Sequence, residues 1–370
     1  MKRPALPTTT PLPTITAAQA LDAQQRFVAG VAEHLSEGAV FRSDAGVVPG
    51  LGQPDTTRRT ERVLAAAFGA DDACLVQGAG TGAIRAALSA GPWTEGRRRL
   101  IVHDAPDYST TATTFRDGLV ECVRVDFEDL AAVRRVMEEE SSAWVYVQHT
   151  RQRLADAHQP ADVIAVAAQA GRRVIVDDNY AVFRTPRIGI ELGADISAFS
   201  LFKLHGPEGI GVVLGAGDVV DRVRHANYSG GGQVQGHQAL AALQALVMVP
   251  LNWAAQAEAT VELARSLADG EVEGIVDARL ANVQDLCVIA LLDEPVAEQV
   301  PQWAASQGAA PFPVGSNSRY EITPLVYRLS SSTLEAQPDL REWAVRINPM
   351  RAGAQLTADL LRRAIAERRA

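Results

Sequence analysis

Between residues 60 and 250 the chain alternates short apolar runs with stretches of helical periodicity, a pattern that few folds accept. The runs are 73–77 (ACLVQ), 99–103 (RLIVH), 119–125 (LVECVRV), 143–148 (AWVYVQ), 173–177 (RVIVD), 196–200 (ISAFS) and 210–214 (IGVVL). Helix-patterned stretches such as 128–139 and 161–171 lie between them. Nearly continuous apolar strands separated by helices imply an α/β fold, with a seven-stranded, mostly parallel sheet covered by helices on both faces. In such sheets ligands gather at the carboxyl ends of the strands, so those ends are where chemistry is sought.

Outside this region the pattern changes. A Pro- and Thr-rich start reads as an extended or frayed arm, and 16–38 as a lone helix. Residues 251–269 form an alanine-rich helix that carries the chain onward, 275–292 and 319–330 are strand-like, and 354–368 is a helix. The helix ends in ERRA, whose arginines read as a solvated face. The expected division is an N-terminal arm and helix (1–44), a large domain (45–250) and a smaller α+β C-terminal domain (251–370). At 370 residues and 47% hydrophobic content, the chain can bury two such cores. No apolar run approaches membrane-spanning length, and MKRPALPTTTPLPT lacks the apolar segment of a signal peptide. Cys74, Cys122 and Cys287 sit in apolar contexts and read as buried free thiols, which suits a reducing cytoplasm. No Cys/His spacing resembles a metal site. A net charge of −9 disfavours a nucleic-acid partner.

The cationic residues carry one further clue. Of 35 lysines and arginines only Lys2 and Lys203 are lysines, and Lys203 follows the sixth apolar run, where a buried cation is costly. A primary amine can form a Schiff base with a carbonyl, which arginine cannot. Two other strand ends are equally suggestive. The first runs into QGAGTGAIRAAL, where Gly80, Thr81 and Gly82 open a helical pattern and offer amides to an anion, although such turns also serve tight packing. The spacing matches neither a Walker loop nor GxGxxG. The fifth run ends in VIVDDNYAVF, placing Asp177 at the strand end, then Asp178 and Tyr180; helix capping is the alternative role for these carboxylates.

Together GAGTGA (78–83), VIVDDNY (174–180) and SLFKLHGPEGIG (200–211) resemble the fold-type I pyridoxal 5'-phosphate (PLP) enzymes of the aspartate aminotransferase superfamily. The class V aminotransferase-like group is the most similar, over residues 45–250. The resemblance implies that Lys203 holds PLP as a Schiff base and moves protons at the substrate α-carbon, while Asp177 pairs with the ring nitrogen. Asp177 is preferred because strand alternation turns Asp178 the other way. Tyr180 would hydrogen-bond the phenolic oxygen, and Gly80, Thr81, Gly82 and Ser200 would hold the phosphate. A ring stacked on the pyridine is expected from Tyr108, with His103 in reserve. Gln148, His149 or Thr150 would approach the cofactor edge. The segment YSGGGQ (228–233) resembles a loop lent to a neighbouring subunit's site, implying a homodimer with the Gly230–Gly232 turn near that site. In AVRINPMRAG, Arg346 fits the place of the arginine that takes a substrate α-carboxylate, with Arg351 as alternative.

The departures narrow the chemistry. Phe202 stands where many class V members have histidine immediately before the lysine. Cys287 lies inside the run LCVIALL, which disfavours desulfuration through a persulfide. The Tyr108 loop and the VQHT strand end are similar to the cystathionine- and methionine-lyase side of the superfamily. The expectation is therefore a PLP-dependent aminotransferase acting on a small amino acid. A β/γ-elimination or replacement lyase is second, and a non-catalytic PLP-fold binding protein a distant third. No nucleic-acid or membrane partner is expected.

Overall fold

In the computed structural model, which describes residues 2–91, 98–315 and 317–367, all seven predicted runs join one sheet. Its strands are β1 (Asp72–Gln77), β2 (Arg98–His103), β3 (Val120–Val125), β4 (Trp144–Gln148), β5 (Val174–Asp177), β6 (Ile196–Ser200) and β7 (Ile210–Gly215). They are ordered β1-β7-β6-β5-β4-β2-β3. From β6 to β3 every pairing is parallel, whereas β7 runs antiparallel to both β6 and β1. Chain length explains the exception. Residues 201–209 alone join β6 to β7, too few for the crossover that a parallel pair needs.

Eight helices accompany this sheet: α1 (Ala17–His34), α2 (Asp55–Phe68), α3 (Ala79–Ser89), α4 (Ser109–Asp117), α5 (Leu130–Glu139), α6 (Pro160–Gln169), α7 (Gly217–Ala226) and α8 (Gly236–Ala268). Strand alternation divides them between the two faces. Phe199, Val212 and Leu214 meet α1, α2 and α8, and Val145 and Val176 on the same face meet α5 and α6. Ile175, Ile196 and Val213 on the other face meet α3 and α7.

One expectation needs correction here, and another is narrowed. The alanine-rich helix does not begin near 251: α8 starts at Gly236 and continues through Pro250, so the expected domain boundary falls mid-helix. It also carries an 18-residue window of mean hydropathy 1.3, long and apolar enough to cross a membrane. Leu240, Leu243, Leu246, Val249 and Trp253 are nevertheless packed in the sheet's core, which makes α8 a core helix. The N-terminal arm is extended but not frayed. Leu6 and Leu12 are buried, Thr9 Oγ1 donates to Leu280 O (2.7 Å), and Leu12 N donates to Asn282 Oδ1 (2.7 Å).

Beyond α8 a smaller antiparallel sheet has the order β10-β11-β9-β8. Its strands are β8 (Ile275–Ala281), β9 (Cys287–Leu292), β10 (Leu325–Tyr327) and β11 (Ala344–Asn348), accompanied by α9 (Val300–Ser306), α10 (Ser331–Ala336) and α11 (Gly353–Glu367). Strand β10 is much shorter than the predicted 319–330 run. The arginines at the chain's end lie outside the described residues.

Candidate active site

Strands β1, β4, β5 and β6 end at the same edge of the sheet, and the residues just beyond them wall one cavity of about 200 Å³. Lys203 reaches it from the single turn after β6. Its Nζ donates to the Tyr180 hydroxyl at 2.6 Å and lies 3.9 Å from that ring's centroid. Tyr180 adopts a left-handed φ of 67°, which a bulky residue rarely takes, and so lies alongside the lysine instead of continuing the strand. Arg184 secures the lysine's backbone by donating to its carbonyl at 3.0 Å, while its guanidinium lies 4.0 Å from the Trp253 ring centroid. Burial lowers the Arg184 pKa to about 10.

Asp177 and Asp178, adjacent in sequence, have separate environments. Asp177 lines the cavity, where Oδ1 accepts from Asn179 N (3.0 Å) and Nδ2 (2.8 Å), and Oδ2 accepts from the Tyr146 hydroxyl (3.0 Å). Burial raises its pKa in spite of those donors, so a cation beside it would be strongly favoured. Asp178 is buried away from the cavity, with Oδ1 2.7 Å from His149 Nδ1 and both oxygens accepting from Gly189 N.

The glycine turn opens α3 as the sequence implied, but its glycines divide the work. Gly78 and Ala79 donate their N–H groups to Gly209 O, and Gly82 donates to Gly78 O. The first-turn amides of Gly80 and Thr81 remain at the cavity wall. A Cβ on Gly80 would collide with the Asn179 side chain, and one on Gly82 with the Gln77 carbonyl. Gly82 thus serves packing and lies outside the lining. Ser200 is buried on the lining, and its N–H donates to Asn179 Oδ1 at 2.9 Å.

Tyr108, Gln148 and Thr150 also face this cavity, whereas His149 and His103 do not. His103 lies behind the Tyr108 loop, its Nδ1 accepting from Phe127 N (3.1 Å) and its Nε2 2.9 Å from Arg153 Nη2. Arg346 is likewise outside. It stands on β11 in the wall of an adjoining cavity of about 710 Å³, which shares Tyr108 and Gln284 with the first. Its Nη1 donates to Val283 O (3.1 Å) and Asp285 Oδ1 (3.2 Å). Arg351 lines neither cavity and donates instead to Glu321 O (2.7 Å), with His205 Nε2 at 2.8 Å. The 228–233 loop packs beside residues 47–52 and is held through Gln77 Nε2 to Gln233 O (3.3 Å).

Three residues at the site escape the sequence reading: Asn179, Tyr146 and Gln284. Asn179 had a visible signal, as it falls inside VIVDDNY two residues after the carboxylate. Tyr146 reads as an apolar strand residue, and Gln284 lies on a loop without a motif. Cys74 and Cys287 are buried and Cys122 is half-buried. Burial raises all three thiol pKa values, that of Cys122 to about 11, so none is primed as a nucleophile.

Residues 69–244 match the aminotransferase class-V family and residues 261–361 the C-terminal domain of YhfS-like proteins. The YhfS protein of Escherichia coli strain K12 is 44% identical over 360 residues, covering 97% of this chain and 99% of that one. The chain belongs to the YhfS family. The crystal structure of Escherichia coli YhfS, described as a PLP-dependent protein, matches with a TM-score of 0.94, covering 98% of this chain and 100% of that chain at 44% identity. Among fold-level neighbours of this YhfS family member, a cystathionine γ-lyase of Micromonospora echinospora has a TM-score of 0.68 at 19% identity, covering 86% of this chain and 88% of its own. A cysteine desulfurase of Klebsiella pneumoniae is 40% identical over only 74 residues, covering 20% of this chain and 18% of the desulfurase. The architecture is that of fold-type I PLP enzymes.

The inner cavity fits PLP by its donor set. It offers one primary amine for an aldehyde, a buried carboxylate for a ring N–H, and first-turn amides with the Thr81 and Ser200 hydroxyls for a phosphate. The absence of a Cβ at Gly80 lets the Asn179 side chain, which holds Asp177, pack against this turn.

Proposed function

We propose that this protein is a PLP-dependent enzyme that labilises the α-proton of a small amino acid and works as an aminotransferase. The observation that carries this reading is the convergence of Lys203, Asp177 and the first-turn amides of α3 on one cavity. When bound, PLP supplies an electron sink for the carbanion at the α-carbon. Asp177 would hold the proton on the ring nitrogen, and the Gly80 and Thr81 amides would anchor the phosphate. Lys203 would hold the cofactor through Nζ, and the same amine would accept the α-proton. The Tyr180 hydroxyl, 2.6 Å away, orients that amine. Arg346 faces the substrate carboxylate from the adjoining cavity. The match of residues 69–244 to the aminotransferase class-V family supports amino transfer.

A second reading, β- or γ-elimination, rests on Tyr108. Its phenol lies where both cavities meet, and burial raises its pKa, so it stays protonated at neutral pH and can protonate a departing group. A cytoplasmic homodimer, with the Gly230–Gly232 turn against a neighbour's site, completes the proposal, supported by the free thiols and the loop's likeness.

The test has two arms. Borohydride should fix PLP on Lys203, and the only competing lysine is Lys2; attachment elsewhere, or none after PLP is added, sinks the cofactor assignment. A panel of amino acids is then assayed for keto-acid-dependent transfer and for free ammonia. Transfer without stoichiometric ammonia upholds the aminotransferase, whereas ammonia without an acceptor replaces it with the lyase.

A further inference from the structure

The larger cavity has a charge character that the chemistry at Lys203 does not require. In a protein of net charge −9, its charged lining is Arg328, Arg341 and Arg346 against one carboxylate, Glu298. Arg328 follows β10 and Arg341 precedes β11, and both are exposed with no side-chain partner among the described residues. Elsewhere arginines in exposed or half-buried positions are commonly paired, as Arg173 is with Asp218 (3.0 Å) and Arg319 with Glu208 (2.8 Å).

A second observation concerns two residues that line the same space. Arg346 and Gln284 are each 5% exposed, and Arg346 Nε and Gln284 Nε2 are buried donors without an acceptor. Unsatisfied buried donors are costly, and here both belong to cavity walls. Gln284 is held in place by a left-handed φ of 76°, a strained setting that recurs at functional sites.

We propose that the outer cavity selects amino acids whose side chain ends in a second anionic group, held by Arg328 and Arg341, with Arg346 and Gln284 at the α-carboxylate. The inference rests on the catalytic reading of Lys203 and names its substrate class. The volume of about 710 Å³ accommodates such a molecule, and Tyr108 and Gln284, common to both cavities, mark where its α-carbon passes toward Lys203. Guanidinium forks suit carboxylate and phosphate oxygens alike.

The experiment compares matched pairs on the PLP-loaded enzyme: glutamate with glutamine, aspartate with asparagine, and phosphoserine with serine. Binding is read from the change in cofactor absorbance and specificity from kcat/KM. At least one acid should exceed its neutral partner about tenfold or more, a margin that shrinks as salt is raised. The Arg328→Gln/Arg341→Gln double variant should bring that ratio to within about twofold of one. Equal responses within all three pairs overturn the substrate class while leaving the catalytic reading intact, and so does a preference that survives in the double variant. Absorbance that answers to no amino acid overturns the catalytic reading, and this proposal with it.

Discussion

The two adjoining cavities are built by different means. The inner one is walled mainly by residues at and just beyond the large sheet's strand ends, among them first-turn amides, Lys203, and a carboxylate that receives three hydrogen bonds. The outer one is walled largely by long side chains of the smaller sheet and its connections, with two exposed arginines that have no partner among the described residues. The contrast separates two tasks. Groups set by a β-sheet scaffold have little freedom and suit an invariant ligand such as a cofactor. Flexible arginines on a neighbouring unit suit a ligand that enters, reacts and leaves.

The most severe way to break this contrast is to remove the inner cavity's amine. Lys203→Ala should abolish borohydride fixation and lower turnover by about 10³-fold or more, since it deletes both covalent anchor and proton acceptor. It should still bind substrate in the outer cavity, a residual affinity that calorimetry can measure. Loss of all substrate binding would show that the two cavities are one site. The adjacent carboxylates offer a sharper version. Asp177→Asn should cut turnover about 10²-fold or more with little change in Tm, because the amide cannot stabilise a protonated ring. Asp178→Asn should do the reverse, costing about 3 kcal/mol of stability through its buried His149 and Gly189 partners. Equal catalytic loss in both variants would refute the assignment.

The same contrast explains what could be read without coordinates. The central strands β4, β5 and β6 were legible because a strand covered on both faces is apolar along nearly its whole length. Lys203, Asp177 and the glycine turn stood out as polar or flexible residues at abrupt ends of such runs. In the smaller sheet only β9, with its run CVIALL, carries a comparable signal. Strand β11 escaped because AVRIN is short and interrupted by Arg346, so its segment was marked only by that arginine, and β10 is only three residues long. Arg328 and Arg341 escaped for another reason: in a chain that uses arginine for nearly every positive charge, only three-dimensional convergence marks them out. Gln284 was invisible for the same reason, since its backbone conformation is set by tertiary packing.

Tyr108 stands at the junction, and its removal tests which cavity it serves. Tyr108→Phe keeps the ring available for stacking and deletes the proton. If the enzyme eliminates a leaving group, kcat should fall about tenfold to a hundredfold while substrate affinity changes little. If it transfers an amino group, kcat should fall less than about threefold. A change confined to KM would place the phenol with the outer cavity.

The smallest expected effect concerns the seam between the two regions. His205 comes just after the lysine's turn, lies 2.8 Å from Arg351 Nη2, and has its ring 4.8 Å from that of Trp253, so it joins the large sheet to the segment after β11. Burial, together with Arg351 and Arg184, lowers its pKa from 6.5 to about 3. In the folded protein it therefore stays neutral between these values, while in the unfolded chain it takes up a proton as pH falls below 6.5. The unfolded state binds more protons across that window, so stability rises with pH from about 3 to about 6.5 and is lost on acidification. His205→Asn tolerates the left-handed φ of 59° and removes the titration. Urea unfolding from pH 7 to pH 5 should then show a shallower fall in stability than the parent, by up to about tenfold in the unfolding constant per pH unit. Parallel curves would mean that His205 is solvated and the seam open, which would also loosen the geometry that brings Arg346 toward Lys203.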